Sequence, residues 1–578
     1  MQKGTSSWIV QAMGNRLVAI VLIMVAVIPL IASPANAIAG GVSATVYEVF
    51  GAMLLFTLLW RSRWTVTRKS VTAFLSTGAN LPVLIFTGLA ISSLIVSPHK
   101  AYSLQEALRL VCGVMLYFVT AYHFSRSEYL QKLLDMLIFV GITASMVGFA
   151  QFGMAEEHSA VSLFGDHQVF GSFLMILMPV LAAASLTEVS LNRKLLAQVA
   201  TILVFTALLL ALSRSAWIGA GCGVLSLSCL AFVGARQRSS LTDTRHEWGS
   251  ALMLLIVASG FFLMISPQTE SIFNRFSSLS RLGTDSTWQG RQPAWQGAIK
   301  MIKNKPMTGY GIGLYPYFQH TFTGLGRSLD TENGAPSFSE TAHNLYLQTA
   351  AEMGIPGALL LITIVGSFLF CGGMRLRLIE PGLRRSLLIG SMGSIVAYAV
   401  DGLSSPSWQL GNTVMFFWLI LGLGTSCFRP LPKRHEEMPA ALHTPMMLRP
   451  AAAMGALVLL TAIPFAYAVA PLGGYISLDH VNITPLIAKI PGGSPQAYVM
   501  TATYHNSSGP DTNANVTLDP STVFKATIAT PATAMQSGPN GSVIQTAFRK
   551  SASATITGQY TFENVTMTSE TSVLTARP

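Results

Sequence analysis

Runs of about twenty apolar residues recur along this chain, separated by short polar segments. A helix needs roughly 20 apolar residues to cross the ~30 Å hydrocarbon core of a bilayer. Thirteen runs meet that length: 17–38, 42–60, 81–97, 106–123, 133–152, 169–189, 195–213, 215–234, 250–266, 345–370, 387–403, 411–428 and 451–472. With no water in hydrocarbon, the backbone must satisfy its own N–H and C=O groups, so such runs become helices. Charged residues make up 11% of the 578 residues and hydrophobic ones 51%, against about 25% charged in soluble domains. That balance excludes a soluble enzyme, a disordered chain, a coiled coil and a disulfide-rich secreted module. The expected fold is mainly α, a polytopic membrane protein with 12–13 transmembrane helices. The pair 195–213 and 215–234 also reads as one broken hairpin.

The net charge of +11 invites a nucleic-acid reading, so the placement of the charges matters. Cytoplasmic loops collect Lys and Arg. With the N-terminus inside, the inner segments hold Lys3, Arg16, Arg61, Arg63, Arg68, Lys69, Arg126, Lys132, Arg193, Lys194, Arg236, Arg238 and Arg245. They also hold Arg375, Arg377, Arg384, Arg385, Arg429, Lys433, Arg434 and Arg449, which brings them to 21 of the chain's 36 basic residues. The short outer loops (39–41, 98–105, 152–168 and 404–410) hold Lys100 alone. The basic residues are topological anchors, and no nucleic-acid partner is expected; the partner is the lipid bilayer. Thirteen spans place the C-terminus outside. The first span has a second reading, because Ala35-Asn36-Ala37 after a basic start and an apolar run resembles a signal-peptidase site. Cleavage there leaves the later topology unchanged.

Two parts lie outside the membrane, both on the outer side: the long loop 267–344, within a transmembrane domain 1–473, and the tail 474–578. The tail alternates apolar and polar residues, as in Ala497-Tyr498-Val499-Met500-Thr501-Ala502-Thr503-Tyr504, with turn signals such as Ser508-Gly509-Pro510 between runs. That pattern predicts an exported all-β, sandwich-like domain. It reads as a stabilising or spacing module, with glycan or partner binding as the alternative. The five cysteines (Cys112, Cys222, Cys229, Cys371 and Cys427) fall in or at the ends of apolar runs, so the exported parts have none to pair. No CxxC or HExxH spacing is present, and neither a metal site nor a cofactor is expected.

A few outer residues stand out as chemistry. Arg214, in Leu212-Ser213-Arg214-Ser215-Ala216-Trp217, ends a span on the side where basic residues are scarce. A charge there needs a partner or a water-filled cavity, unless it snorkels to the interface. In the long loop, Gly290 to Ile302 places Trp295, Ala298, Ile299 and Ile302 on one helical face, an amphipathic helix suited to the membrane surface. Arg291 sits near its start, where free N–H groups and a guanidinium together attract phosphate. Pro306-Met307-Thr308-Gly309-Tyr310-Gly311-Ile312-Gly313 has the glycines of a tight bend and lacks the Lys-Ser/Thr of a nucleotide loop. His343 stands where the loop re-enters the membrane, and imidazole relays protons near neutral pH. Glu352 and Gly354 follow in the next span. Arg281 and Arg327 are weaker candidates in the same loop; Asp166, His167 and Glu340 share the outer side.

At these residues the chain resembles the O-antigen ligase family, whose core is shared with O-antigen and exopolysaccharide polymerases and some O-oligosaccharyltransferases. The resemblance covers roughly residues 80–430. It rests on Ser213-Arg214-Ser215-Ala216-Trp217, Arg291-Gln292-Pro293-Ala294-Trp295, Pro306 to Gly313, and His343-Asn344-Leu345-Tyr346-Leu347-Gln348 with Glu352-Met353-Gly354. It implies a membrane-embedded, metal-independent, inverting glycosyltransferase of the bacterial inner membrane. Such an enzyme takes a glycan from undecaprenyl diphosphate and joins it, at the periplasmic face, to an acceptor hydroxyl on a glycan or lipid-A core. By the resemblance, Arg214 and Arg291 bind the diphosphate and His343 is catalytic, with Arg281, Glu352, Trp295 and Tyr310 as possible supporting residues. A thirteenth span and a β tail depart from the family's usual pattern of about twelve spans, and the motifs do not separate ligase from polymerase. A protein O-oligosaccharyltransferase is a third enzyme reading. A transporter, the non-enzymatic alternative, would show inverted repeats, and none is clear here.

Overall fold

The computed structural model describes residues 16–30, parts of 49–54, 74, 77–154, 159–164, 166–186, 190–236, 286–323, 341–405 and 411–428. It also describes the short strands 328–329 and 336–337 and strand segments between 476 and 577. The expected spans 42–60 (in large part), 250–266 and 451–472, and the candidates Arg281, Arg327 and Glu340, lie outside the described residues.

The described chain is mainly helical. Twelve helices are labelled in order: α1 (Arg16–Leu30), α2 (Asn80–Val96), α3 (Lys100–His123), α4 (Ser127–Met154), α5 (His167–Ser185), α6 (Leu191–Leu210), α7 (Arg214–Arg236), α8 (Ser286–Asn304), α9 (Tyr315–Thr323), α10 (Leu345–Leu376), α11 (Leu383–Asp401) and α12 (Gly411–Ser426). Among the described residues, five are long and apolar enough to cross a membrane: α3, α4, α5, α6 and α10. Helices α1 and α2 are shorter but apolar, as is the Thr413–Ser426 part of α12. Helices α7 and α11 occupy the expected spans 215–234 and 387–403. The broken-hairpin alternative resolves into two helices, α6 and α7, joined at Ala211–Ser213 by a turn whose Leu212 has φ 51°.

Helix α5 is the buried centre, with almost every residue from Val169 to Ser185 enclosed by α6, α7, α11 and α12. Small residues set the closest approach. A Cβ at Gly223 of α7 would meet Gly393 O of α11 at 2.8 Å, and one at Gly219 would meet Ala397 O at 2.8 Å. Backbones in contact gain dispersion where lipid offers no hydrophobic drive. The same contacts make α7 and α11 antiparallel, so the start of α7 lies beside the end of α11.

The long-loop helix α8 forms where expected but buries a partly different face. Ala294, Gly297, Ala298 and Met301 are buried, whereas Ile299 is 41% exposed. The side chains of Ala and Gly leave room for α9 and α10 to pack directly on the helix. Tyr315 Oη donates to Ala294 O (2.8 Å) and Lys300 Nζ to Phe322 O (2.9 Å). Of the expected face Trp295–Ala298–Ile299–Ile302, Ala298 is buried and Ile302 partly so while Ile299 is exposed, and α8 is pinned to protein largely through Ala294, Gly297 and Ala298.

In the tail, Ile476–Thr484 pairs antiparallel with Val499–Asn506, which pairs with Thr512–Asn515. Buried Val481 and Ile483 face buried Ala502 and Met500, the alternation the sequence shows. Ala552–Phe562 pairs with Thr522–Ile528, Val565–Thr568 and Ser572–Arg577. These are strands, several of them only three to five residues long, interrupted by stretches outside the described residues. They amount to less than the packed all-β domain the sequence predicts.

Candidate active site

Three helices begin at one end of the bundle: α5, α7 and α10. Asp166 caps α5, its Oδ1 accepting from Gln168 N (2.7 Å) and Val169 N (3.0 Å). Asn344 caps α10, its Oδ1 accepting from Tyr346 N (3.0 Å) and Leu347 N (2.9 Å). Arg214 is the first residue of α7. Helix N-termini carry partial positive charge and unsatisfied N–H groups, so this end favours an anion.

Hydrogen bonds and close packing tie the three together. Leu345 N donates to Gly402 O (2.7 Å) and Asn344 Nδ2 to Leu403 O (2.9 Å), which docks the start of α10 on the end of α11. Asp401, fully buried at that end, accepts from Ser172 Oγ of α5 (2.8 Å). A Cβ at Gly171 of α5 would lie 2.8 Å from Ser213 Cβ, just before Arg214. Trp217 Nε1 donates to Leu208 O (2.8 Å), locking the turn that presents Arg214.

His343 precedes the Asn344 cap and is largely enclosed. Its Nδ1 is buried with no hydrogen-bond partner among the described residues. Burial, then the nearby Arg291 guanidinium, push its pKa down to about 4, while the Asp166 carboxylate pulls the other way. The imidazole is thus neutral at physiological pH, which is the form that accepts a proton. Arg291, in the first part of α8, is partly exposed and close enough to act on His343 electrostatically.

The remaining candidates have different positions. Glu352 is buried and accepts from Gly313 N (3.0 Å), Tyr315 N (3.3 Å) and Gln348 Nε2 (3.0 Å). Backbone bonds run alongside: Tyr310 N to Ala351 O (3.1 Å), Gly311 N to Glu352 O (2.8 Å) and Ile355 N to Pro306 O (2.7 Å). Glu352 therefore fastens the glycine-rich loop to α10. Tyr310 is fully buried, its hydroxyl accepting from Asn304 Nδ2 and its ring 4.8 Å from Phe318, so it packs the loop from beneath. Trp295 is half-buried on α8.

The sequence places Asp166 on the outer side with His167 and Glu340; its effect on His343 comes from a different loop. The signal available was its place just before an apolar run, the usual mark of an N-cap. Gln168, whose buried Oε1 has no hydrogen-bond partner among the described residues, does not stand out in the sequence. Its only sequence signal was a polar residue at the head of an apolar span.

Residues 199–362 match the family model described as O-Antigen ligase, a stretch that contains Arg214, Arg291, Tyr310, His343 and Glu352. No curated protein matches the chain.

Proposed function

From the premise that residues 199–362 place this membrane protein in the O-antigen ligase/polymerase superfamily, we propose that it moves a glycan from undecaprenyl diphosphate to an acceptor hydroxyl. The observation that supports this reading most is the joint placement of a neutral histidine and an arginine acting on it at an end of the bundle where three helices begin. In this scheme the acceptor oxygen attacks the anomeric carbon, and the bond from that carbon to the diphosphate oxygen breaks. The electron pair leaves with the diphosphate, and Arg214 and Arg291 bind the growing negative charge more strongly than the ground state. The acceptor proton passes to His343. In-line displacement inverts the anomeric centre. The arginines supply the charge that a metal ion would otherwise supply, and the diphosphate linkage supplies the energy.

The wider reading puts the protein in the bacterial inner membrane, with loop 267–344 and the strand-bearing tail 474–578 on the periplasmic side. Arg214→Ala, Arg291→Ala and His343→Ala should each reduce glycan transfer by purified protein at least about 100-fold while membrane levels stay normal. Wild-type transfer by all three sinks the proposed site. A deletion strain separates the two enzyme readings. Lipid-linked polymer that accumulates while the lipid-A core stays bare identifies a ligase; accumulated single repeat units identify a polymerase.

A further inference from the structure

A base held at a pKa of about 4 is a weak one, and the imidazolium it forms in the reaction meets the Arg291 guanidinium. Something must offset that repulsion if His343 is to take a proton quickly. The charged groups that act on it come from two other elements, Arg291 on α8 and Asp166 at the cap of α5; His167, Arg214, Asp401 and Tyr346 belong to the same end of the bundle. Asp166 is the acid whose charge acts on His343 in favour of the protonated form.

The geometry suits that task. Oδ1 of Asp166 takes both cap bonds, from Gln168 N and Val169 N. Oδ2 is left out of the cap and lies 3.9 Å from His167 Nδ1. The cap fixes the carboxylate at the head of α5, and α5 is bonded through Ser172 to Asp401, at the same helix end on which Asn344 and Leu345 dock. His343 is one residue before that docked segment. Two fixed caps, Asp166 and Asn344, therefore hold carboxylate and imidazole on one side of the bundle.

We propose that Asp166 is a positioning residue for proton transfer, the counter-charge that stabilises the His343 imidazolium formed when the acceptor hydroxyl gives up its proton. This rests on the glycan-transfer reading above. No further reactant is needed: the proton moves from acceptor oxygen to imidazole.

The double duty of Asp166 makes the test clean. Asparagine is as good an N-cap as aspartate, so Asp166→Asn keeps the cap and deletes the charge, whereas Asp166→Glu keeps the charge. The full-length protein in detergent is assayed with a lipid-diphosphate-linked glycan donor from pH 4 to 8. In parallel, the titration of ¹⁵N-labelled His343, assigned by its loss in His343→Ala, is followed by NMR. For Asp166→Asn we expect kcat to fall roughly tenfold, the donor KM to be unchanged, and the His343 titration to move to lower pH. Asp166→Glu should recover part of kcat. An Asp166→Asn protein with wild-type kcat overturns the proposal, whether or not the titration moves. So does a fall in kcat without movement of the titration, which would mark a structural role only. Failure of the underlying function appears separately, as a wild-type protein that transfers no glycan at all.

Discussion

Among the described residues, three other than glycine adopt a left-handed backbone: Ser162 (φ 52°), Leu212 (φ 51°) and His343 (φ 45°). Leu212 lies two residues before Arg214, and Ser162 lies four before the Asp166 cap. Such conformations cost of order 1–3 kcal/mol and persist where the surroundings impose them. At His343 the Asn344 cap and the docking on α11 do the imposing. Asparagine tolerates this backbone better than most residues. His343→Asn should therefore match or exceed the wild-type melting temperature while glycan transfer falls on the order of 100-fold. A large loss of stability would show that His343 is a packing residue instead. The same residue sets a pH dependence. Folded, it binds a proton near pH 4; unfolded, near the ordinary ~6.5. Between those values the unfolded chain holds the extra proton, so stability declines as pH falls from ~6.5 toward 4 and this group adds no further loss below that. His343→Asn should flatten the melting temperature across that window. In the sequence Arg214 stood out as a basic residue at an outer span end, Arg291 by its place near a helix start and His343 by its place where the long loop re-enters the membrane. Asp166 stood out less, since its partner is 177 residues away and proximity of that kind is created by folding.

At the scale of elements, the decisive feature is the break in α10. Gly354 has φ 74° and ψ 173°, and a Cβ there would sit 2.4 Å from Met307 O. That region of backbone space is essentially reserved for glycine. The kink lets Ile355 N reach out to Pro306 O instead of bonding within the helix, and so seats the loop 306–314. Gly354→Ala should lower stability by at least about 1–3 kcal/mol, read as a fall in melting temperature, with activity lost through the displaced loop. Glu352→Ala should be comparable, because it strands the N–H groups of Gly313 and Tyr315 at about 1–3 kcal/mol each. Glu352→Gln, which keeps one acceptor oxygen, should lose less. If both Glu352 variants melt like wild type, the clamp is not what holds the loop. The glycines of this loop were visible in sequence as a bend, but the partner that fixes it was not, because Glu352 is one polar residue in a long apolar run. The face of α8 was read only in part, Ala298 apart, for a related reason. Periodicity rewards large apolar residues, whereas Ala294, Gly297 and Ala298 win the contact by letting neighbours come close.

At the scale of the whole molecule, the two ends of the bundle differ in how they use arginine. At one end Arg193, near the start of α6, forms a two-pronged pair with Asp135 of α4, Nε to Oδ1 and Nη2 to Oδ2, both 3.0 Å. At the same end Arg384 donates to Ser426 O (2.9 Å), and Arg385 donates to Leu376 O and Ile379 O (both 3.1 Å). Arg384 and Arg385 satisfy carbonyls at or just beyond the C-termini of α12 and α10, where positive charge also suits the dipole. Their contacts are structural. At the other end, the helix starts are served by Asp166 and Asn344, Arg214 heads α7, and the Arg291 guanidinium acts on His343. The polarity of the molecule thus decides whether the proposed chemistry has access to a lipid diphosphate on the outer face. Lys132→Cys and Lys303→Cys, each in a background with the five native cysteines replaced, report it directly, since both positions are exposed. In intact spheroplasts a membrane-impermeant maleimide should label position 303 at once and position 132 only after permeabilisation. The reverse pattern would put His343 in the cytoplasm and remove the basis for a donor presented on the outer leaflet. Labelling of both would show that the bundle does not span the membrane with the polarity its arginines imply.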